Sequence, residues 1–238
     1  MALSHYARPG STSPPQSHFD HIDTWIFDLD NTLYSHEAGI WPQLDKRITS
    51  YLVATLDLEP GPARVLQKQL YYRHGSSLRG LIEEYRIDPH EYLEYTHDID
   101  YSALSANAPL SRAIEALPGR KLILTNGTRK HAEAVATKLE ILDHFEAIFD
   151  ITAASFLPKP ERRTYDTFLA QYAVEPARAA MFEDAEQNLL IPHELGMKTT
   201  LVVPKTPDPY REQFEQEPIV AGHIHHVTND LASFLRFC

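Results

Sequence analysis

Five short apolar runs, too brief to be buried helices and rich in β-formers, mark the chain at TWIFD (24–28), KLILTN (121–126), AIFDITAA (147–154), AAMFED (179–184) and TTLVV (199–203). From the second run onward, segments with helical periodicity lie between them. The stretch Thr128–Ile141 opens on a plausible N-cap threonine and puts Ala132, Val135, Ala136 and Leu139 on one face. Glu161–Tyr172 and Glu186–Leu195 follow, the last stopped by Gly196. Short strands that read as apolar throughout, separated by helices, dictate a parallel sheet covered on both sides, a doubly wound α/β fold. HIHHVTNDLASFL (223–235) adds a final edge strand and helix after a loop rich in proline and charge at 204–218.

One long stretch breaks the alternation. Between Tyr34 and Leu110 no buried strand is legible, and four helical patterns take its place: Pro42–Leu56, Pro62–His74, Ser77–Tyr85 and Pro89–His97. The expected organisation is a core of residues 19–34 and 110–238, with residues 35–109 inserted after the first strand as a four-helix cap domain. Residues 1–18, rich in Ser and Pro, read as a disordered tail.

The bulk numbers exclude several classes. A hydrophobic content of 43 % over 238 residues supports a substantial core. A net charge of −11 argues against binding a nucleic-acid polymer, which calls for a basic stripe, but not against a small anion in a local pocket. Cys238 is the single cysteine, so neither an intrachain disulfide nor a thiolate metal cage can form. No apolar run approaches the ~20 residues of a membrane span, and the N-terminus lacks a signal-peptide core, so the expectation is a cytoplasmic protein without membrane association.

In open parallel sheets ligands sit at the carboxyl ends of the strands. There the first run delivers Asp28 and Asp30, the second Thr125, Asn126 and Gly127, the loop after the third Lys159, and the fourth Glu183 and Asp184. Carboxylates, a hydroxyl beside a glycine turn at a helix start, and an ammonium suit a phosphoryl group with a hard cation such as Mg²⁺. Asp28 can attack phosphorus and form an aspartyl-phosphate. Asp30 can protonate the leaving oxygen and then deprotonate water, for which its pKa is expected to be raised by burial and the neighbouring carboxylate. Thr125 and the backbone N–H groups of Asn126 and Gly127 can hold phosphate oxygens. Lys159, between Pro158 and Pro160, can offset their charge. Asp184 and Glu183 offer oxygens to the metal. His223, His225 and His226 lack carboxylate or thiolate companions and read as edge-strand and surface residues.

In this order DLDNT, LTNG, PKP and FEDAEQN resemble the four motifs of the haloacid dehalogenase superfamily over residues 19–238. The resemblance implies an Mg²⁺-dependent phosphatase, with Asp28 as nucleophile, Asp30 as acid and base, and Asp28, the Asp30 carbonyl and Asp184 around the metal. The dehalogenases lack the second aspartate, so Asp30 favours phosphate over halide chemistry. DNTLY and the stretch YYRHGSSLRGL (71–81) are similar to the pyrimidine 5′-nucleotidase branch, in which the cap reads the nucleotide. That similarity makes Tyr72, His74, Ser77 and Arg79 candidate substrate contacts and UMP or CMP the expected substrate. FED departs from the two successive aspartates frequent in that branch, which leaves open whether Glu183 binds metal or holds Lys159. Two other readings remain: a phosphatase for another small phosphomonoester, such as a sugar phosphate or phosphoglycolate, and a catalytically silent binding protein of the same fold. Either a monomer or a homodimer is compatible with the sequence.

Overall fold

The computed structural model describes residues 18–209 and 222–238. The expected tail, apart from His18, and much of the 204–218 loop lie outside the described residues.

The sheet has six parallel strands: β1 (Thr24–Phe27), β2 (Arg120–Leu124), β3 (Ala147–Phe149), β4 (Ala179–Glu183), β5 (Lys198–Val202) and β6 (His226–Thr228), in the order β3-β2-β1-β4-β5-β6. Central β1 is buried along its whole length, which is why its sequence shows no polar alternation. The pleat sends Trp25 and Phe27 to one face and Ile26 to the other. On the first face Phe27 stacks on Phe182 at 4.8 Å, among residues from α5 (Ala108–Ala116), α6 (Arg129–Lys138) and α9 (Leu231–Phe234). On the second, Ile26, Leu122 and Met181 meet Tyr165 and Phe168 of α7 (Arg162–Tyr172).

The chain winds from β1 outward through β2 to β3, then crosses back to lay β4 on the other side of β1. That reversal of direction opens a crevice at the carboxyl ends of β1 and β4. Asp28 and Asp184 stand at this switch point.

Helices α1 (Ile40–Leu56), α2 (Pro60–His74), α3 (Ser77–Gly80) and α4 (Pro89–Thr96) follow β1, with a π-helical turn over Leu81–Tyr85. They gather a separate apolar cluster around Tyr51, Leu52, Leu70, Leu81 and Leu93, joined by Ile151 from the loop after β3, with Phe156 against its edge.

Several boundaries differ from expectation for local reasons. β3 ends at Phe149, because the Asp150 carboxylate accepts the N–H groups of Arg129 and Ala153 and turns the chain. Ser155 and Phe156 then adopt left-handed conformations, with φ of 54° and 60°. The expected helix from Glu186 starts as a 3-10 turn and becomes helical only over α8 (Leu190–Glu194), ending at Gly196 with φ of 94°. α5, capped by the Asn107 side chain, was not expected.

Candidate functional site

β1 delivers its carboxylates through a tight turn. The Asp28 N–H donates to the Phe182 carbonyl, continuing the pairing one residue past the strand, and Asn31 at φ 60° reverses the chain. The turn brings the Thr32 hydroxyl back to donate to Asp28 Oδ2 at 3.0 Å. Oδ1 of Asp28 accepts from Lys159 Nζ at 2.7 Å. The same ammonium, on a side chain only 1 % exposed, donates to Glu183 Oε2 at 2.6 Å and to the Leu124 carbonyl at 2.9 Å. Residues from three strand ends thus meet at one buried cation, as the sequence order required.

The electrostatics follow from this geometry. Burial, reinforced by the charge of Glu183, pushes the Asp28 carboxyl up to about 7 against the pull of Lys159. Burial likewise raises Glu183 to about 6. For Lys159 burial opposes the charge, but the two carboxylates outweigh it and raise the ammonium's pKa.

Asp30 differs from expectation. Burial is the largest single influence and pushes its carboxyl upward, but Oδ1 accepts from His131 Nε2 at 2.7 Å and from the Tyr34 hydroxyl, and His131's charge together with these hydrogen bonds outweighs burial. The net shift is downward, a correction to the raised pKa read from the sequence. Asp30's partner, His131, lies 101 residues away, beyond any local reading. Burial alone would lower His131, but the charge and hydrogen bond of Asp30, with the charge of Asp28, together raise it.

Thr125 is buried, its hydroxyl accepting from the Gly127 N–H at 2.9 Å, and Gly127 precedes the Thr128 cap of α6. The side chain of Asn126 has a further role that its sequence reading did not include. Its side-chain oxygen accepts from the Lys159 N–H at 2.7 Å and its amide donates to the Lys159 carbonyl at 3.2 Å. The amide clamps the backbone that carries the ammonium.

Asp28, Glu183 and Asp184 each offer an oxygen, all within 4.8 Å of one another, an all-oxygen set suited to Mg²⁺. Glu183 has commitments elsewhere, with one oxygen on Lys159 and the other accepting the Ala185 N–H at 3.2 Å. Both oxygens of Asp28 are engaged as well, by Lys159 and Thr32, so all three carboxylates stay candidate ligands, with Glu183 also tethering the lysine.

The four residues singled out around α2 and α3 contact partners of the same helical segment. His74 lies between Glu83 and Glu84 at 3.0 and 2.6 Å, and Arg79 pairs with Glu83. The buried Ser77 hydroxyl donates to the Gln67 carbonyl at 3.2 Å. Tyr72 is 54 % exposed, its ring edge-on to Tyr71. These contacts do not join them to the Asp28–Lys159 cluster. Conversely, Thr32, Tyr34 and His131 belong to the site without having been singled out. Tyr34 was within reach of sequence reasoning, since the turn that returns Thr32 also returns the residue four after Asp30.

A family model described as hydrolase, haloacid dehalogenase-like hydrolase, matches residues 22–191. Phosphate metabolism protein 8 of Saccharomyces cerevisiae is 26 % identical over 191 residues, covering 73 % of this chain and 59 % of that protein, so the match spans less than two thirds of the yeast protein's length. Among solved structures, a HAD phosphatase from Thermococcus onnurineus superposes with a TM-score of 0.59 at 17 % identity, covering 90 % of this chain and 97 % of that one. L-2-haloacid dehalogenase from Xanthobacter autotrophicus, with chloropropionic acid covalently bound, superposes with a TM-score of 0.55 at 16 % identity and the same coverage. No helix among the described residues is long and apolar enough to cross a membrane.

Proposed function

Since this chain belongs to the haloacid dehalogenase-like hydrolases, we propose that it is a Mg²⁺-dependent phosphomonoesterase working through an aspartyl-phosphate on Asp28. The observation that carries the reading is the buried Lys159 ammonium gripped by Asp28 and Glu183, with Asp184 alongside and a second aspartate two residues past the nucleophile. The yeast relative's name, which places it in phosphate metabolism, points the same way.

Asp28 is aimed by Thr32 and Lys159, so it attacks with few conformations to lose. Its oxygen forms a bond to phosphorus as the bond from phosphorus to the ester oxygen breaks. That oxygen leaves with a proton delivered through Asp30. In the second half water attacks the same phosphorus, Asp30 takes the water's proton, and the Asp28–phosphorus bond breaks to release phosphate. The low-lying pKa of Asp30 suits the base of the second half. In the first half the proton is carried on Asp30 Oδ2, because Oδ1 already accepts from His131 Nε2 and the Tyr34 hydroxyl. The Thr125 hydroxyl and the Asn126 N–H hold the phosphoryl oxygens, since the N–H groups of Gly127, Arg129 and His131 donate to Thr125, Asp150 and Thr128. Mg²⁺, held by Asp28, the Asp30 carbonyl and Asp184, would offset the negative charge of those oxygens.

Helices α1–α4 act in this reading as a cap domain over the crevice, closing on substrate and excluding water until the first half is complete. The substrate is a pyrimidine nucleoside 5′-monophosphate, UMP or CMP, a choice that rests on the YYRHGSSLRGL stretch. To contact it, His74 and Arg79 would have to leave Glu83 and Glu84. The test is phosphate release with Mg²⁺ across UMP, CMP, AMP, GMP, sugar phosphates and phosphoglycolate, with Asp28→Asn as control. Release from UMP and CMP that depends on Asp28 is expected. Release from other esters alone would discard the nucleotide assignment, and release from none would discard the enzyme.

A further inference from the structure

Asp30 Oδ1 receives both of the carboxylate's described hydrogen bonds, from His131 Nε2 and the Tyr34 hydroxyl. A methyl placed on Gly127 would lie 3.6 Å from Asp30 Oδ2, 3.3 Å from Thr125 Oγ1 and 3.0 Å from the His131 ring. The second oxygen of the acid–base residue and the hydroxyl assigned to phosphate therefore border the same small volume.

The His131 ring is itself held on every side. Its side chain is fully buried, and its backbone N–H donates to the Thr128 cap at the start of α6. Its second nitrogen, Nδ1, is 2.9 Å from the Tyr101 hydroxyl, and the His97 ring packs edge-on at 5.2 Å. Tyr101 and His97 lie on the segment between α4 and α5 that returns from the helical insertion to the sheet. A buried imidazole with both nitrogens engaged has one orientation available, and it passes that orientation to its carboxylate partner.

We propose that His131, itself fixed by Tyr101, is the positioning residue for Asp30: it pins Oδ1 so that Oδ2 alone faces the leaving oxygen and later the attacking water. The inference rests on the phosphomonoesterase reading and extends it to a residue outside the four motifs. With Oδ1 unpinned, the carboxylate can rotate about χ2, and the oxygen that must meet the ester is no longer fixed. The defect then falls on proton transfer, not on phosphate binding.

The test compares His131→Leu and His131→Gln with the unmodified protein on a nucleotide and on p-nitrophenyl phosphate, whose leaving group departs without a proton. In His131→Leu, kcat on the nucleotide should fall about 100-fold or more, with KM within about twofold. On p-nitrophenyl phosphate the initial burst of nitrophenolate should persist while the steady rate slows, because water attack still needs Asp30. His131→Gln, whose amide can reach Oδ1, should recover most of the rate. Equal losses on both esters and in both phases, or kcat within about threefold of the unmodified protein, would overturn the proposal. If His131→Leu does not fold, Gln is compared with Asn, whose amide is one methylene too short; equal activity of the two would likewise overturn it. These outcomes leave the phosphatase reading standing. Failure of the unmodified protein to turn over any ester in an Asp28-dependent way would sink that reading and this role with it.

Discussion

The cluster at the switch point calls for a cation, and the size of that demand can be worked out. When ionised, the carboxylates of Asp28, Glu183 and Asp184 bring three negative charges within a few ångströms of one another, with the Lys159 ammonium held between Asp28 and Glu183. A divalent cation binding only the folded state stabilises it by about 2.7 kcal/mol at 100 times its Kd. For a chain of this length that amounts to a rise in Tm of about 5–11 °C. Protons compete for the same oxygens. With Asp28 raised to about 7, lowering the pH from 7.5 to 5.5 should weaken binding about 25-fold, leaving a gain of about 1 kcal/mol at the same cation concentration. Linkage in the metal-free protein runs the opposite way. Asp28 and Glu183 have folded-state values above their unfolded ones, so their contribution to stability is complete below about pH 4 and lost as pH rises through about 7. The cation should thus help most where the metal-free fold is weakest. Thermal melts with and without MgCl₂ at the two pH values, at constant ionic strength and with Asp184→Asn alongside, check this. A Tm gain that is equal at both pH values, or unchanged in Asp184→Asn, would refute the assignment of these carboxylates to a metal.

Other expectations follow from single features. Asp30→Asn keeps the shape of the side chain but cannot accept a proton, so steady-state turnover should fall by about 100-fold or more with the fold intact, read as phosphate release beside a circular-dichroism melt. Gly119 sits at φ 77° with the place of a Cβ only 2.2 Å from the Asp23 carbonyl oxygen, so Gly119→Ala should cost about 2 kcal/mol or more in urea unfolding. His226 has a buried Nε2 without a hydrogen bond, and burial among His18 and His225 lowers its pKa to about 4. Its contribution to stability is present above pH 6.5 and lost as pH falls through about 4. Replacing it with Phe, beside Phe19 and Phe234, should flatten the acid side of a Tm-versus-pH curve.

What the sequence made legible was whatever short-range pattern controls. The apolar runs became β1 to β5 within a few residues, because a strand covered on both faces needs unbroken apolar character, and parallel topology then puts Asp28, Thr125 and Asp184 at one edge. The capping role of Thr128 was readable for the same reason. What remained hidden depends on partners distant in sequence. The amide of Asn126 is spent on Lys159, 33 residues on, and the downward shift of Asp30 is set by a histidine on another helix. Around α2, the similarity to the nucleotidase branch singled out polar side chains suited to a ligand, and the structure shows what that similarity did not carry: Glu83 and Glu84, on the adjoining turn, pair with two of them.

The loop after β3 leads directly to Lys159, yet Ile151 is embedded among residues of α1–α4 and Phe156 meets the edge of the same cluster, its ring edge-on to His90 at 5.2 Å. The helical insertion is thus not a module that can be transplanted at its two chain junctions alone. A chimera that exchanges residues 35–109 for those of a relative must carry residues 151–156 with it, or it will strand two apolar side chains and loosen the segment that delivers the buried ammonium. Divergence in the insertion and in that loop is therefore constrained to proceed together.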